Sequence, residues 1–257
     1  MITPTVVLVH GAWHGAWCWQ RVVPRLQQAG VGVHAVTLTG VADRAHLMAP
    51  GIRLSTHVQD VLGLITAFEL ERVVLVGHSY GGIVITGVAD QLQQSQPGRV
   101  AALVYVDAVT PHPGESWSSM HAPETVAQRL TAAQASGGIS FGPPDASVFG
   151  LSGADRDWVN RRQTPQPLGV YQDRLDFDAA RVASLPRTFI DCTSPALPTI
   201  AVMRQRVRTE PSWEVRELAT GHDPMVSEPE ALSNILIDVA RRQTHPTELS
   251  AHENPDR

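Results

Sequence analysis

The chain has 257 residues, 43% of them hydrophobic and 18% charged, enough apolar material for one sizeable core and too much for a disordered tail. Twenty basic against 25 acidic residues give a net charge of −5 with no basic cluster, which argues against nucleic acid as a partner. Every basic residue is an arginine, so mechanisms built on a lysine base, a Schiff base or a phosphate-binding lysine are closed. There is no apolar run of membrane-spanning length and no signal-like segment before Val6-Val7-Leu8-Val9, so a cytoplasmic protein without a membrane partner is expected. In that compartment Cys18 and Cys192 read as free thiols acting as small buried apolar residues.

In chain order, short β-branched runs alternate with longer amphipathic stretches, the pattern of βα units building a mostly parallel sheet. Val6 to His10 reads as a strand, Trp19 to Gly30 as a helix closed by glycine, and Gly32 to Leu38 as the next strand. Thr56 to Leu70 follows as a helix, Arg72 to Gly77 as a buried strand, Gly81 to Gln94 as a helix, and Val100 to Val106 as a strand ending at Asp107. Residues 111–186 break the rhythm: proline and glycine thicken, strand-like runs vanish, and helices are expected over Thr125 to Ala135 and Asp155 to Arg162. This is read as a mainly helical cap inserted into a core made of 1–110 and 187–242. Arg187 to Cys192 and Trp213 to Leu218 resume the strands, Pro229 to Arg242 closes with a helix, and 243–257 reads as a flexible polar tail.

Gly77-His78-Ser79-Tyr80-Gly81-Gly82 places a serine in G-x-S-x-G between a strand and a helix, where a sharp turn exposes the hydroxyl at the helix N-terminus. Such a serine needs a base, and His222 is the best placed of 11 histidines, in the turn between the last strand and the last helix. The acid is more open. Asp107 closes the strand after the nucleophile helix and emerges at the same sheet edge; Asp191 lies within the next strand; water or another residue is the remaining choice, and Asp223 is too near His222 in sequence to reach round its ring. His10-Gly11-Ala12-Trp13-His14-Gly15-Ala16-Trp17 follows the first strand, and the amides of Ala12 and Tyr80 are the expected oxyanion donors. His10, His14 and His78 read as satisfied structural histidines. No zinc-type pair sits on a helix, so no metal or other cofactor is expected.

On these residues the chain resembles the α/β-hydrolase superfamily, in the branch of plant methylesterases, hydroxynitrile lyases and bacterial esterases. The likeness runs from Thr5 to about Arg242 and rests on the His10–Trp17 segment, the Ser79 elbow and the Gly221-His222 turn. It implies an α/β fold with a helical cap over a small, largely apolar pocket, and a serine hydrolase without cofactor. Two departures stand out. The plant enzymes carry their acid after the strand matching Arg187 to Cys192, a loop that here has no carboxylate, whereas haloalkane dehalogenases place it where Asp107 stands. The lyases follow the histidine with a lysine, and here Asp223 follows His222.

The expected activity is hydrolysis of a small-molecule carboxylic ester or lactone, with Trp13, Tyr80, Trp117, Trp158 and Met225 as pocket candidates. A lyase, cyclase or cofactor-free oxygenase on the same scaffold is the alternative, and a binding protein that has lost turnover a third. Oligomeric state, a homodimer included, is left open.

Overall fold

The computed structural model describes residues 4–244. Six strands form one sheet: β1 (Thr5–Val9), β2 (Val33–Val36), β3 (Val73–His78), β4 (Val100–Val106), β5 (Arg187–Cys192) and β6 (Trp213–Leu218). All neighbours are parallel, in the order β6-β5-β4-β3-β1-β2, so every strand ends at the same edge. Each residue of β3 and β4 is buried, which is why these strands read as unbroken apolar runs rather than as alternation. The helices are α1 (Val23–Gln28), α2 (Leu54–Ala67), α3 (Gly81–Ser95), α4 (Pro123–Gln134), α5 (Gly153–Asn160), α6 (Ala201–Thr209) and α7 (Pro229–Arg242). α1 packs on α7 and α2 on α3.

β5, β6 and α7 fall where the sequence puts them. The expected helix from Trp19 to Gly30 is instead a 3₁₀ turn (Ala16–Trp19) followed by α1; Pro24 lacks an N–H and sits in α1's first turn, and Gly30, at φ 76°, lies beyond its end. α2 starts two residues before Thr56, whose hydroxyl accepts the Arg53 N–H at 3.1 Å and so closes the cap from inside the helix. α6 went unread: only Met203 and Val207 are buried along it, and arginines fill much of the rest.

Between β4 and β5 lie α4, α5, helical turns at Gly169–Gln172 and Ala179–Ala183, and two antiparallel pairings not foreseen, Glu115–Ser116 with Arg174–Leu175 and Ser140–Phe141 with Gln166–Pro167. Two-residue strands are too short to leave an alternation in the sequence. Three bonds lay the segment on the strand-end edge: Trp13 N–H to Gln166 Oε1 (2.9 Å), Thr164 N–H to the Trp13 carbonyl (3.0 Å) and His222 N–H to the Phe149 carbonyl (2.9 Å). Cys18 and Cys192 are free and buried. No helix among the described residues is long and apolar enough to cross a membrane; most of the expected tail, 245–257, lies outside those residues.

Glycines let α3 dock against the end of β3. A Cβ on Gly82 would stand 2.2 Å from the Val109 carbonyl oxygen, and one on Gly77 would stand 2.6 Å from that of Gly81. Backbone atoms on both sides leave no flexible neighbour to yield. Gly82→Ala should therefore lower stability by roughly 1–3 kcal/mol through overpacking and should shift the Ser79 turn. Urea denaturation checks this; an unchanged midpoint would mean that the contact is not tight.

Candidate active site

The site begins with two strained residues side by side. β3 pairs with β4 so that His78 stands opposite Val106, which sets Ser79 beside Asp107, the first residue past each strand. Ser79 has φ 50° and Asp107 φ 42°, a left-handed region that non-glycine residues avoid at a cost of roughly 1–3 kcal/mol each. Backbone bonds hold both in place: Ser79 N–H to the Val106 carbonyl (3.1 Å), Val109 N–H to the Ser79 carbonyl (3.0 Å), and Asp107 N–H to the Ile190 carbonyl (2.8 Å). Ser79 is partly exposed between the buried His78 and Tyr80.

Asp107 and His222, both buried, meet here: His222 Nδ1–H donates to Asp107 Oδ2 at 2.7 Å. That bond fixes the tautomer, leaving the lone pair of a neutral ring on Nε2, which makes no hydrogen bond among the described residues. The other Asp107 oxygen accepts from Arg204 Nη2 at 2.7 Å. Arg204 comes from α6, which also explains why Asp191 is not free to serve the histidine. The Asp191 carboxylate takes Arg204 Nε at 2.5 Å and Arg208 Nη2 at 2.6 Å. The sequence reading missed Arg204, because it missed the helix that carries it.

The loop after β1 approaches Ser79 closely: a Cβ on Gly11 would lie 2.9 Å from the serine Cβ. The amides of Ala12 and Tyr80 make no hydrogen bond among the described residues. His10 donates from Nδ1 to the Gly11 carbonyl at 2.7 Å and accepts the Leu38 N–H on Nε2 at 3.1 Å. In a trans peptide the C=O and N–H point opposite ways, so holding the Gly11 oxygen fixes the direction of the Ala12 N–H. His14 holds the next carbonyl, of Ala12, at 2.7 Å. Tyr80 is held through its hydroxyl, 3.0 Å from His57 Nδ1, while His57 Nε2–H donates to the Thr39 carbonyl at 2.8 Å.

Aromatic rings gather around this edge. Trp13 packs against Trp117, Phe141 and Phe149, and Trp117 against Tyr80 (5.1 Å between centroids) and Tyr171 (4.9 Å). Phe149 also lies against His222. Trp158 does not join them: its ring lies against Trp17, between Arg21 and Arg162. Met225 is fully buried in the helical turn Pro224–Ser227 that follows His222. Gln166, Phe149, Tyr171 and Arg129, all from the least patterned stretch, were not singled out by sequence. A separate cavity of about 290 Å³ beside Tyr105, Phe177 and Trp213 shares none of these residues.

His78, His222 and Asp223 bring ligand-type atoms within 4.8 Å of one another. His78 Nδ1 and Asp223 Oδ1 are buried without a hydrogen-bond partner among the described residues, while His78 Nε2–H donates to the His222 carbonyl at 2.9 Å, His222 Nδ1 serves Asp107, and Asp223 Oδ2 pairs with His14 Nε2 at 3.2 Å. Burial opposes charge on both members of this last pair. The attraction outweighs it, raising the His14 pKa above 6.5 and holding Asp223 down at about 2.

His10 and His57 behave oppositely. Burial drives their pKa values to about 3 and about 4, so the folded protein keeps both neutral. Below pH 6.5 the unfolded chain takes up protons that these rings refuse, and stability falls as pH falls. Between pH 6.5 and 5 the loss is roughly 2 kcal/mol per ring. His14 adds no slope in that window, because a raised pKa loses its contribution only at higher pH, on passing through the folded value. His57→Gln should flatten the dependence of unfolding free energy on pH by nearly one proton between pH 5 and 6; an unchanged slope would show that His57 titrates normally in the fold.

A family model described as the alpha/beta hydrolase family matches residues 6–235. The carbendazim hydrolyzing esterase of Nocardioides sp. strain SG-4G is 39% identical over 240 residues, 90% of this chain and 97% of that one. Methylesterase 3 of Arabidopsis thaliana is 27% identical over 92% of this chain and 96% of its own. Among solved structures, an extracellular alpha/beta-hydrolase from a Paenibacillus species superposes with a TM-score of 0.81 at 22% identity, covering 93% of this chain and 99% of that one. The chain belongs to the alpha/beta hydrolase family.

Proposed function

We propose that the protein hydrolyses a carboxylic ester or lactone of a small, largely apolar molecule through an acyl-enzyme on Ser79. The observation that carries the reading is the buried His222–Asp107 bond, which turns a basic Nε2 away from the acid at the edge where Ser79 protrudes. The named esterases among the relatives support the reaction class.

In this reading Ser79 Oγ attacks the acyl carbon while His222 Nε2 takes its proton. The oxyanion meets the open amides of Ala12 and Tyr80; His10 fixes the first in advance and His57 anchors the Tyr80 side chain, so little reorganisation is needed when the charge forms. His222 passes the proton to the leaving alcohol oxygen, and the C–O bond breaks. Water, deprotonated by the same nitrogen, then attacks the acyl-enzyme and releases the acid. Trp13 and Trp117 wall the acyl pocket, with Met225 close by in sequence to the histidine, and residues 111–186 form the cap that selects what enters. Trp158 falls outside the pocket.

The test is a panel of p-nitrophenyl and methyl esters. Ser79→Ala and His222→Ala should each lower kcat by 10³-fold or more, as for other triads, and Asp107→Asn should follow them because it removes the acceptor that sets the tautomer. Asp191→Asn should retain most of the activity. The reading fails if Ser79→Ala leaves turnover largely intact, and the acid assignment fails if Asp191→Asn is the more damaging of the two carboxylate changes.

A further inference from the structure

Arg129, on α4, holds its guanidinium over the aromatic cluster beside the site. Its central carbon lies 4.9 Å from the Trp117 ring centroid, 5.0 Å from Tyr171, 5.4 Å from Trp13 and 5.8 Å from Phe141. Among the described residues no carboxylate comes within ion-pairing distance, although arginines 204, 206 and 208 all find acids. Its neighbours are neutral: Nη1 donates to His121 Nδ1 at 3.2 Å, and the Tyr171 hydroxyl is 3.0 Å from the same ring nitrogen. Burial and then the Arg129 charge push the His121 pKa down to about 3, so this partner adds no second positive charge and supplies no negative one.

Aromatic faces attract a cation but offer it no hydrogen-bond acceptors. The guanidinium therefore keeps in-plane N–H donors to spare, and none of its nitrogens is sealed from solvent without a partner. A cleft of about 240 Å³ is lined by Trp13, Arg129, Ala132, Phe141 and Pro143, with Trp13 directly following Ala12. Trp117 links the same guanidinium to Tyr80, 5.1 Å beyond it. The spare cation thus stands over Trp13, the neighbour of Ala12, and one ring away from Tyr80; Ala12 and Tyr80 are the two residues proposed as oxyanion donors.

We propose that Arg129 is a specificity residue that binds a carboxylate carried on the acyl part of the substrate, so that the preferred esters are monoesters of planar, aromatic dicarboxylic acids. A carboxylate matches the guanidinium edge in two parallel hydrogen bonds and supplies the charge that the protein withholds, while the flat aromatic part lies in the cleft along Trp13 and Phe141. This rests on the ester-hydrolase reading and narrows its otherwise apolar substrate class.

The experiment compares the monomethyl esters of benzene-1,3- and benzene-1,4-dicarboxylic acid with their neutral dimethyl esters, using wild type, Arg129→Gln and Arg129→Lys of confirmed thermal stability. Wild type should favour at least one monoester over its dimethyl partner by tenfold or more in kcat/KM. Arg129→Gln should abolish that preference, chiefly through KM, and Arg129→Lys should keep part of it. A wild type without preference, or a preference that survives Arg129→Gln, overturns the proposal. Binding of the two free dicarboxylates, followed by tryptophan fluorescence, tests it even if no methyl ester turns over: Kd should rise tenfold or more in Arg129→Gln, and equal affinities overturn it. Failure of the hydrolase reading shows separately, as absence of turnover on every ester with the binding difference intact.

Discussion

The site turns on how one buried carboxylate is shared. Asp107 gives one oxygen to His222 and the other to Arg204, both at 2.7 Å, at a position with no exposed surface. A charge so placed is tolerable only when paired and hydrogen-bonded on both oxygens, and removing one partner of a buried pair typically costs about 3–5 kcal/mol. Arg204 therefore supplies the counter-charge for a carboxylate at the end of β4, and that carboxylate accepts from His222 Nδ1. Because Arg204 also reaches Asp191, and Arg208 takes the other Asp191 oxygen, the two acids are divided between different duties by arginines from a single helix turn. A buried carboxylate can stand after β4 here because α6 supplies its counter-charge.

Strain and pre-orientation are concentrated at the same edge. Ser79 and Asp107 both hold left-handed backbone conformations, secured by inter-strand bonds and by glycines that leave α3 no slack. Around them, neutral buried histidines act as fixed brackets rather than as acids or bases. His10 turns the Gly11–Ala12 peptide, and His57 anchors Tyr80. Burial makes them neutral, and neutrality lets one nitrogen donate while the other accepts, so the desolvation that depresses their pKa values is also what makes them useful.

Much of this was legible in the sequence, and the reason differs by part. The strands and the elbow were readable because local rules dominate there: a fully buried parallel strand needs an apolar run, and a tight strand-to-helix turn needs glycine at Gly77, Gly81 and Gly82. His222 could be placed by its turn between strand and helix. Asp107 could be ranked but not decided, since the deciding contact is made by Arg204 from a helix whose arginines hide its periodicity. His10 and His14 have both ring nitrogens bonded, as satisfied structural histidines would, whereas His78 leaves Nδ1 without a partner; what they bracket depends on loops meeting across the sheet. Residues 111–186 were least legible: their strands are two residues long, and Arg129, Phe149 and Gln166 matter through contacts with residues far away in the chain. Trp158 packs on Trp17 rather than on the rings around Trp13, a difference that bulk and position in the insertion could not reveal.

The most direct test of the account is whether the acyl group passes through Ser79. Acid quenching of the protein during turnover of p-nitrophenyl acetate, followed by peptide mass analysis, should find one acetyl group per chain, on the peptide carrying Ser79. Release of p-nitrophenol should show a burst equal to the enzyme concentration when deacylation is the slower step. Steady turnover with the adduct on a different residue, or turnover in which Ser79→Ala gives the same adduct, would contradict it.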